Sequence, residues 1–179
     1  MQLLSKKGEP ARPTNRVAHR VDDIDAQLLN LLQRDGRTSR TDLAEAVDLS
    51  VPAVSERLRK LEERGVLTGH HATADAKRLG FDITAFIRVS VQGSDHYDDF
   101  LDAVTPLDSV LEVHSITGEG SHILKVRIAT TTALERLLSK LQDIDGVGST
   151  DTSIVLSTFK ETRALPVEPV DLPEEDTDR

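Results

Sequence analysis

Apolar residues recur at helical spacing in three successive runs near the beginning of the chain. The three stripes consist of Ile24, Leu28, Leu31 and Leu32, then Leu43, Ala44 and Val47, then Val54, Leu58 and Leu61. Residues three and four apart lie on one face of a helix, so each run predicts an amphipathic helix, and the three faces can close one core. Only Asp48, Leu49 and Ser50 separate the second helix from the third, which is the pattern of a helix-turn-helix.

Capping residues indicate where these helices begin. Ser39 precedes Asp42 by three positions, so its hydroxyl can accept a free amide of the second helix while the carboxylate sits at the positive end of the helix dipole. Ser50 can cap the third helix, and Pro52 is tolerated in a first turn that has no intrahelical use for its missing N–H. The third helix is therefore predicted to span residues 51–64.

From Phe81 onward, apolar residues first recur at every second position, which is the spacing of a strand. Later runs alternate between strand spacing and helix spacing. The predicted elements are a strand at 83–91, a helix at 97–104, hairpin strands at 110–116 and 122–128, a helix at 134–144 and a final strand at 153–159. The order β-α-β-β-α-β predicts a four-stranded antiparallel sheet with both helices on one face, the ferredoxin-like arrangement. The opposite face needs a partner, because it is expected to carry Phe86, Ile116, Val155 and Phe159.

The fold class that follows is α+β, in two domains. A three-helix winged helix-turn-helix domain is predicted at residues 21–67, and a ferredoxin-like βαββαβ domain at residues 81–162. Residues 68–80 are expected to connect the two domains. A short strand is expected near Val66–His71, where apolar and polar residues alternate loosely.

The composition favours a cytoplasmic protein. Hydrophobic residues make up 37% of the chain and charged residues 30%, and no apolar run approaches the roughly 18 residues that a membrane span needs. Met1–Leu4 is too short an apolar stretch to be a secretory signal. The chain has no cysteine, which excludes disulfides, thiol catalysis and cysteine-ligated zinc. We expect no membrane association, no metal and no cofactor.

Negative charge is concentrated in the second part of the chain. The formal net charge is −9, yet residues 1–67 carry 12 Lys and Arg against 11 Asp and Glu, whereas residues 68–179 carry 10 against 20. The helix-turn-helix region can therefore approach phosphates although the whole chain is acidic. Both ends lack apolar periodicity, so a disordered basic arm is expected at residues 1–20 and a disordered acidic tail at residues 163–179.

The outward face of the third helix has the composition of a DNA-reading surface. At about 100° per residue, the small residues Pro52 and Ala53 lie near the N-terminus of that face. Glu56, Arg59 and Lys60 follow one to two turns later on the same face. In a major groove, small side chains can approach base edges while cations contact phosphates or a guanine. This face is therefore predicted to contact double-stranded DNA.

Ten residues of the motif form the predicted DNA-binding set. They are Ser39, Arg40, Ser50, Pro52, Ala53, Ser55, Glu56, Arg57, Arg59 and Lys60. Ser39 and Arg40 begin the preceding helix and would hold the DNA backbone. The alternative interpretation is a solvated helix in which Glu56 pairs with Arg59 or Lys60.

The sequence predicts no catalytic residues. Ser115, Ser121 and His122 are close in sequence, but no glycine-flanked serine elbow occurs. The six histidines show no zinc-ligand spacing with carboxylates on a helix.

Several motifs in combination resemble the leucine-responsive and asparagine-responsive (Lrp/AsnC) family of transcription regulators. They are Asp22–Leu32 (DDIDAQLLNLL), Gln33–Arg37 (QRDGR), Leu43 with Ala44, Leu49 with Ser50, Ser55–Leu67 (SERLRKLEERGVL) and Thr117–Val126 (TGEGSHILKV). The resemblance covers roughly residues 21–162. It implies a sequence-specific DNA-binding regulator that forms homodimers through its sheet domains. It also implies assembly of dimers into tetramers or octamers, and binding to pseudo-palindromic DNA.

The same resemblance implies a small-molecule effector, often an amino acid, bound between sheet domains near a glycine-containing turn. Carried over by position, the candidate effector-binding residues are Gly118, Glu119, Gly120, Ser121 and His122. The last three replace what is often an aromatic, an Asp and an aromatic in the family. Serine offers no charge to an ammonium group, so this site departs from the family pattern at Ser121. An ordinary hairpin turn is the alternative interpretation.

Two other functions are compatible with this architecture. Some sirohaem-type decarboxylases of haem pathways resemble the family while acting on a tetrapyrrole. If this chain were such an enzyme, His114 and His122 on adjacent strands could act as its acid and base. The negative net charge of the whole chain favours a second alternative, a sensor that acts through its sheet domain without contacting DNA. A cation-bearing third helix would have no purpose in a decarboxylase, so a DNA-binding regulator is the leading hypothesis.

Overall fold

A computed structural model describes residues 20–172 of the chain. Most of the predicted basic arm and residues 173–179 of the predicted acidic tail lie outside the described residues. The chain divides into two compact units. We call them the helical unit, which runs to Ala72 and resumes at Thr162, and the sheet unit, Thr73–Glu161.

The predicted three helices and the β-α-β-β-α-β series occur in the predicted order, and two short strands that the sequence did not predict, β1 (Arg20–Val21) and β6 (Val170–Asp171), lie before and after them. The α-helices and strands between these two are α1 (Asp23–Arg34), α2 (Arg40–Ala46), α3 (Val51–Glu63), β2 (Ile83–Val91), α4 (Tyr97–Val104), β3 (Val110–Ser115), β4 (His122–Ile128), α5 (Thr131–Gln142) and β5 (Val147–Ile154). Within residues 20–172, none of the helices combines the length and the apolar character that crossing a membrane requires.

The predicted caps of α2 and α3 are confirmed. The Ser39 hydroxyl accepts from the Asp42 amide at 3.1 Å, and the Ser50 hydroxyl accepts from the Ala53 amide at 3.4 Å. Between the two helices, Asp48 adopts a left-handed backbone with φ of 52°, a conformation that Asp tolerates better than most residues. The tight turn of the helix-turn-helix follows from these local choices.

The three apolar stripes close the core of the helical unit, as predicted. Leu28, Leu43 and Val54 are each no more than 1% exposed. This core also receives Val167 and Leu172 from the end of the chain. It is the burial of these apolar faces that holds the three helices together, since helices this short are marginal alone.

Two expectations for the helical unit are wrong. Residues 163–172 do not form a disordered tail, because β6 pairs antiparallel with β1 and the segment packs on α1. The short strand expected at Val66–His71 does not form. Instead, the chain folds back on the end of α3, where the Val66 and Leu67 amides both donate to the Leu61 carbonyl.

The sheet unit has the predicted ferredoxin-like topology. Its four strands lie in the order β3-β4-β2-β5, and all neighbours are antiparallel. Both α4 and α5 cover one face. The fully buried side chains between helices and sheet include Ala85, Ile87, Val89, Phe100, Val104, Leu124, Val126 and Leu141.

The last strand of the sheet begins earlier than predicted. β5 spans Val147–Ile154 and pairs with β2 over its length, whereas the sequence pattern placed it at residues 153–159. β5 is an edge strand with a mostly polar sequence, so apolar alternation marked it poorly. Residues 155–159 continue beyond it, and Leu156 and Phe159 are 94% and 98% exposed.

The outer face of the sheet, opposite α4 and α5, carries polar and apolar groups together. Phe86 is partly exposed there, as predicted, while Ile116 and Val155 are half-buried. Lys125 on this face binds Glu112 at 3.1 Å and Glu161 at 2.6 Å, and Glu161 also accepts from Arg127 at 2.7 Å.

Candidate nucleic-acid interface

The exposed face of the helix-turn-helix is concave. One open depression between α2 and α3 is lined by Arg40, Pro52, Ser55, Glu56, Arg59 and Glu62. Five of these belong to the set predicted to bind DNA, and Glu62 was missed because its position was assigned to neither the core nor the reading face. The helix-turn-helix thus brings small side chains, the Ser55 hydroxyl and charges of both signs to one surface.

The charged groups of α3 neutralise one another. The Arg59 guanidinium donates to Glu56 from Nε at 2.9 Å and from Nη2 at 2.7 Å, and it also donates to Glu63. Lys60 Nζ lies 3.5 Å from Glu56. The solvated-helix interpretation is thus right about the ion pairs. These pairs are exposed and of low net energy, so phosphate groups can exchange with the carboxylates.

The pKa values of the α3 face reflect this pairing. Hydrogen bonds from Arg59, together with the charges of Arg59 and Lys60, outweigh the opposing effect of desolvation and lower the pKa of Glu56 to about 2. Glu56 therefore stays an anion across the physiological range and can only accept hydrogen bonds.

Arg57 lies away from the concave face, in contrast to its predicted role in DNA binding. Its guanidinium donates to Asp22 at 2.7 Å and to Asp25 at 2.8 Å, both at the beginning of α1. Burial opposes ionisation of Asp22, but the Asp25 amide and the Arg57 guanidinium outweigh it and lower the pKa of Asp22. Arg57 is engaged in fixing α3 against α1, so we reassign it as a positioning residue.

The other predicted residues lie at the helix starts or on the exposed face. The Ser39 hydroxyl donates to the Asp42 carboxylate at 2.7 Å besides capping α2, and Ser50 caps α3. Ala53 is half-buried and Lys60 is exposed. Ser39 and Ser50 are thus occupied by capping, which leaves their backbone amides and the neighbouring Arg40 as the groups suited to hold a phosphate.

The predicted effector turn connects β3 to β4 and is anchored on β2. Gly118 and Gly120 have φ of 101° and 82°, which side chains rarely adopt. A Cβ on Gly120 would lie 2.7 Å from Cγ of Arg88. The Ser121 hydroxyl accepts from the Val91 amide at 2.9 Å, so this predicted effector residue is engaged in fixing the turn. Glu119 and Gly118 remain exposed at the tip.

His122 points into the core instead of toward solvent. It is 1% exposed and packs against Tyr97 and Phe100, with ring centroids 4.9 Å away in each case. Its Nδ1 lies 2.9 Å from the Ser121 hydroxyl, whereas its Nε2 has no partner among residues 20–172. Burial lowers the pKa of His122.

His114 and His122 do not form an acid–base pair. His114 is paired in register with Ile123, and His122 with Ser115, so the two imidazoles lie on opposite faces of the sheet. His114 is exposed beside Glu112 on the outer face. Nor does any group of three or more His, Asp or Glu between residues 20 and 172 have an arrangement that could hold a metal ion.

Comparison with protein families matches two separate models to the chain, and the gap between the matches contains the boundary of the two units at Ala72. Residues 21–68 match the family model for winged helix-turn-helix DNA-binding. Residues 84–165 match the family model for the Lrp/AsnC ligand binding domain. The two matches together span the helix-turn-helix and the ferredoxin-like sheet.

Known relatives resemble the chain over nearly their whole length. The HTH-type transcriptional regulator FL11 of Pyrococcus horikoshii is 33% identical over 147 residues, which cover 82% of this chain and 97% of FL11. The structure of transcriptional regulator NMB0573 of Neisseria meningitidis, solved with L-Met, aligns with a TM-score of 0.78 and 31% identity over 81% of this chain and 96% of that one. The feast or famine regulatory protein Rv3291c of M. tuberculosis, solved with L-methionine, aligns with a TM-score of 0.77 and 35% identity over 82% and 99%.

Removal of one α3 carboxylate should strengthen non-specific DNA binding. In Glu63→Gln, Arg59 loses one of its two carboxylate partners, and the exposed face gains net positive charge. We expect tighter binding to a random-sequence duplex and a salt dependence steeper by up to about 0.9 in log–log slope. Fluorescence anisotropy across salt concentrations measures both. The control Glu135→Gln on α5 makes the same change in total charge. Equal affinity and equal salt slope for the two variants would contradict the assignment of the α3 face as the DNA-binding surface.

His122 should make the sheet unit sensitive to acid. Its pKa is lowered in the folded state, so its contribution to stability is complete above the unfolded pKa of about 6.5 and is lost as the pH falls below it. We expect the free energy of unfolding, measured by urea denaturation, to fall in this range for the unaltered chain and to fall less for His122→Leu. The exposed control His114→Asn should keep the full dependence. A curve for His122→Leu as steep as that of the control would show that another group is responsible.

Proposed function

The chain belongs to the Lrp/AsnC family of DNA-binding transcription regulators, and from that premise we propose that α3 enters the major groove of duplex DNA at a specific sequence. The observation that carries this proposal is the concave α2–α3 face, which groups the small residues Pro52 and Ser55 with exchangeable ion pairs on one surface. We propose a cytoplasmic location, because the target is chromosomal DNA.

We assign roles on this face by chemistry. Pro52 and Ala53, at the beginning of α3, can approach base edges closely and offer apolar contact to a thymine methyl group. Glu56 is ionised and can accept from the N4 amino group of cytosine, while Arg59 can turn from Glu56 toward a guanine or a phosphate. Arg40 at the start of α2 holds the DNA backbone.

We propose that two copies associate through the outer face of the sheet and the residues that follow β5. Leu156 and Phe159 are almost fully exposed in the single chain, and Phe86 lies partly exposed on the same sheet face. Exposed aromatic and aliphatic groups of this kind are typical of association surfaces. A dimer would present two helix-turn-helix units to the half-sites of a pseudo-palindrome, and dimers are proposed to assemble further into tetramers or octamers.

We further propose a small-molecule effector of the amino-acid class. Two similar regulators were solved with L-methionine, and the matched domain of this chain is described as ligand-binding. The turn residues Gly118–Gly120 supply backbone groups that are not engaged in the hydrogen bonds of the hairpin, and Glu119 supplies a carboxylate, which can pair with an ammonium group in place of a family aspartate. His122 is buried beneath this turn and does not take part directly.

Neutralising the α3 cations should weaken DNA binding and its dependence on salt. We expect Arg59→Ala/Lys60→Ala to bind a duplex selected from a random pool at least about tenfold more weakly, with a log–log salt slope shallower by about one to two. The matched control Arg136→Ala/Lys140→Ala removes the same charge from the exposed side of α5. Equal affinity of the double variant and the unaltered chain, in gel shifts at several salt concentrations, would refute the docking of α3.

A charge at the proposed association surface should separate the protomers. We expect Phe159→Glu to raise the dimer dissociation constant by about tenfold or more, because aromatic residues at the centre of an interface dominate its energy. Sedimentation velocity over a concentration series measures this. Leu79→Glu introduces the same charge at another exposed apolar residue and should leave association unchanged. A Phe159→Glu chain that still sediments like the unaltered one would exclude this surface.

A further inference from the structure

We propose that residues 162–172, which we call the clasp, fix the orientation of the recognition helix α3 by way of β1, Asp22 and Arg57. This inference rests on the proposed role of α3 in reading DNA. It concerns a segment whose strand, β6, lies beyond residue 165, where the match to the ligand-binding domain ends.

Two side-chain amides on α1 hold the clasp in place. Asn30 donates to the Val167 carbonyl at 2.8 Å and accepts from the Val167 amide at 3.2 Å. Gln33, about one turn further along, donates to the Leu165 carbonyl at 2.9 Å and accepts from the Leu165 amide at 2.7 Å. Both backbone groups of two alternate residues are thereby satisfied, which is what a neighbouring strand would do. The α1 surface therefore recognises an extended peptide.

The clasp makes two further contacts near the beginning of α1, one by apolar packing and one by strand pairing. Val167 and Leu172 pack on the apolar core of the helical unit. Val170 of β6 pairs with Val21 of β1, which is 2% exposed, and Asp171 of β6 pairs with Arg20. Without β6, one edge of β1 would lack its strand partner.

β1 is connected to the recognition helix α3 through two residues, Asp22 and Arg57. Val21 is followed directly by Asp22, whose carboxylate caps α1 by accepting from the Asp25 amide at 2.8 Å. The same residue accepts from Arg57 of α3 at 2.7 Å, and Arg57 also donates to the buried Asp25. A shift of β1 therefore moves the carboxylate that fixes Arg57. The rotation of α3 about its axis, and with it the direction of Glu56 and Arg59, depends on this anchor.

The clasp can be loosened without removing any residue of the core or of the DNA face. In Gln33→Glu, the amide donor that faces the Leu165 carbonyl becomes a carboxylate oxygen, which repels that carbonyl. Gln33 is exposed, so the fold of the helical unit should persist. Gln27→Glu adds the same charge to an exposed position of the same helix and serves as the matched control.

The test compares these full-length variants on two duplexes, one selected from a random pool with the unaltered chain and one of random sequence and equal length. We expect Gln33→Glu to lose amide-exchange protection at Leu165 and in β1 and β6. It should bind the selected duplex roughly fivefold more weakly, with little change on the random duplex and an unchanged salt slope. A loss of DNA contacts would instead change the salt slope, and Gln27→Glu should change none of these quantities.

A double-variant cycle tests the path through Asp22. Asp22→Asn keeps a good capping residue but removes the charge that holds Arg57. Positions 22 and 33 are about 16 Å apart along α1, where independent effects add. We expect Gln33→Glu to weaken selected-duplex binding much less in the Asp22→Asn background than in the unaltered chain. Additive effects, or a Gln33→Glu chain that loses protection yet binds like the control, would overturn the proposal. An unaltered chain without preference for any duplex would refute the proposed function instead, whatever the exchange data show.

Discussion

Arg57 joins the recognition helix to the beginning of α1 through two carboxylates, and the geometry of the helical unit depends on that junction. Asp25 is buried whereas Arg57 is partly exposed, so loss of the guanidinium would leave a buried carboxylate without its counter-charge, which is costly. The pair with Asp22 is coupled to the cap of α1. With one side of α3 held in this way, the side that carries Pro52 and Glu56 faces the open depression beside α2.

The charges on that open side explain how an acidic chain can bind DNA selectively. Glu56 and Glu63 flank Arg59, so the free protein offers little net positive charge at the surface where DNA would bind. Non-specific attraction to phosphates is correspondingly weak. In the proposed complex, Arg59 and Lys60 exchange carboxylate partners for DNA groups, and binding is favoured where base edges also satisfy Glu56. The same carboxylates that oppose binding to random sequence therefore support discrimination.

Periodic patterns predicted most of the fold, and the failures occurred where side-chain periodicity carries no information. The stripes of α1, α2 and α3 and the alternation in β2 and β4 were sufficient to place those elements. β5 was misplaced because a polar edge strand is defined by backbone pairing with β2. The clasp was taken for a tail because Asn30 and Gln33 hold it through its backbone. Its two packed apolar side chains, Val167 and Leu172, are too few and too far apart to give a periodic pattern.

The candidate site was predicted in outline from helix geometry. The exposed face of α3 followed from its spacing, but the role of Arg57 did not, since its partners lie 35 and 32 residues away in the chain. His122 was included among the effector residues by its position in the family's turn motif, whereas the register of β4 directs it into the core. Contacts between distant parts of the sequence decide such cases, and local patterns cannot indicate them.

Site-directed photo-cross-linking tests the orientation of α3 most directly. A photoreactive side chain is placed at Ala53, at Glu56 or, as a reference on α1, at Gln27, and each full-length chain is irradiated with a selected duplex. The account predicts cross-links from positions 53 and 56 to bases through the major groove and none from position 27. Cross-links from position 27, with none from positions 53 and 56, would contradict the claim that α3 is presented to DNA by its anchor on α1.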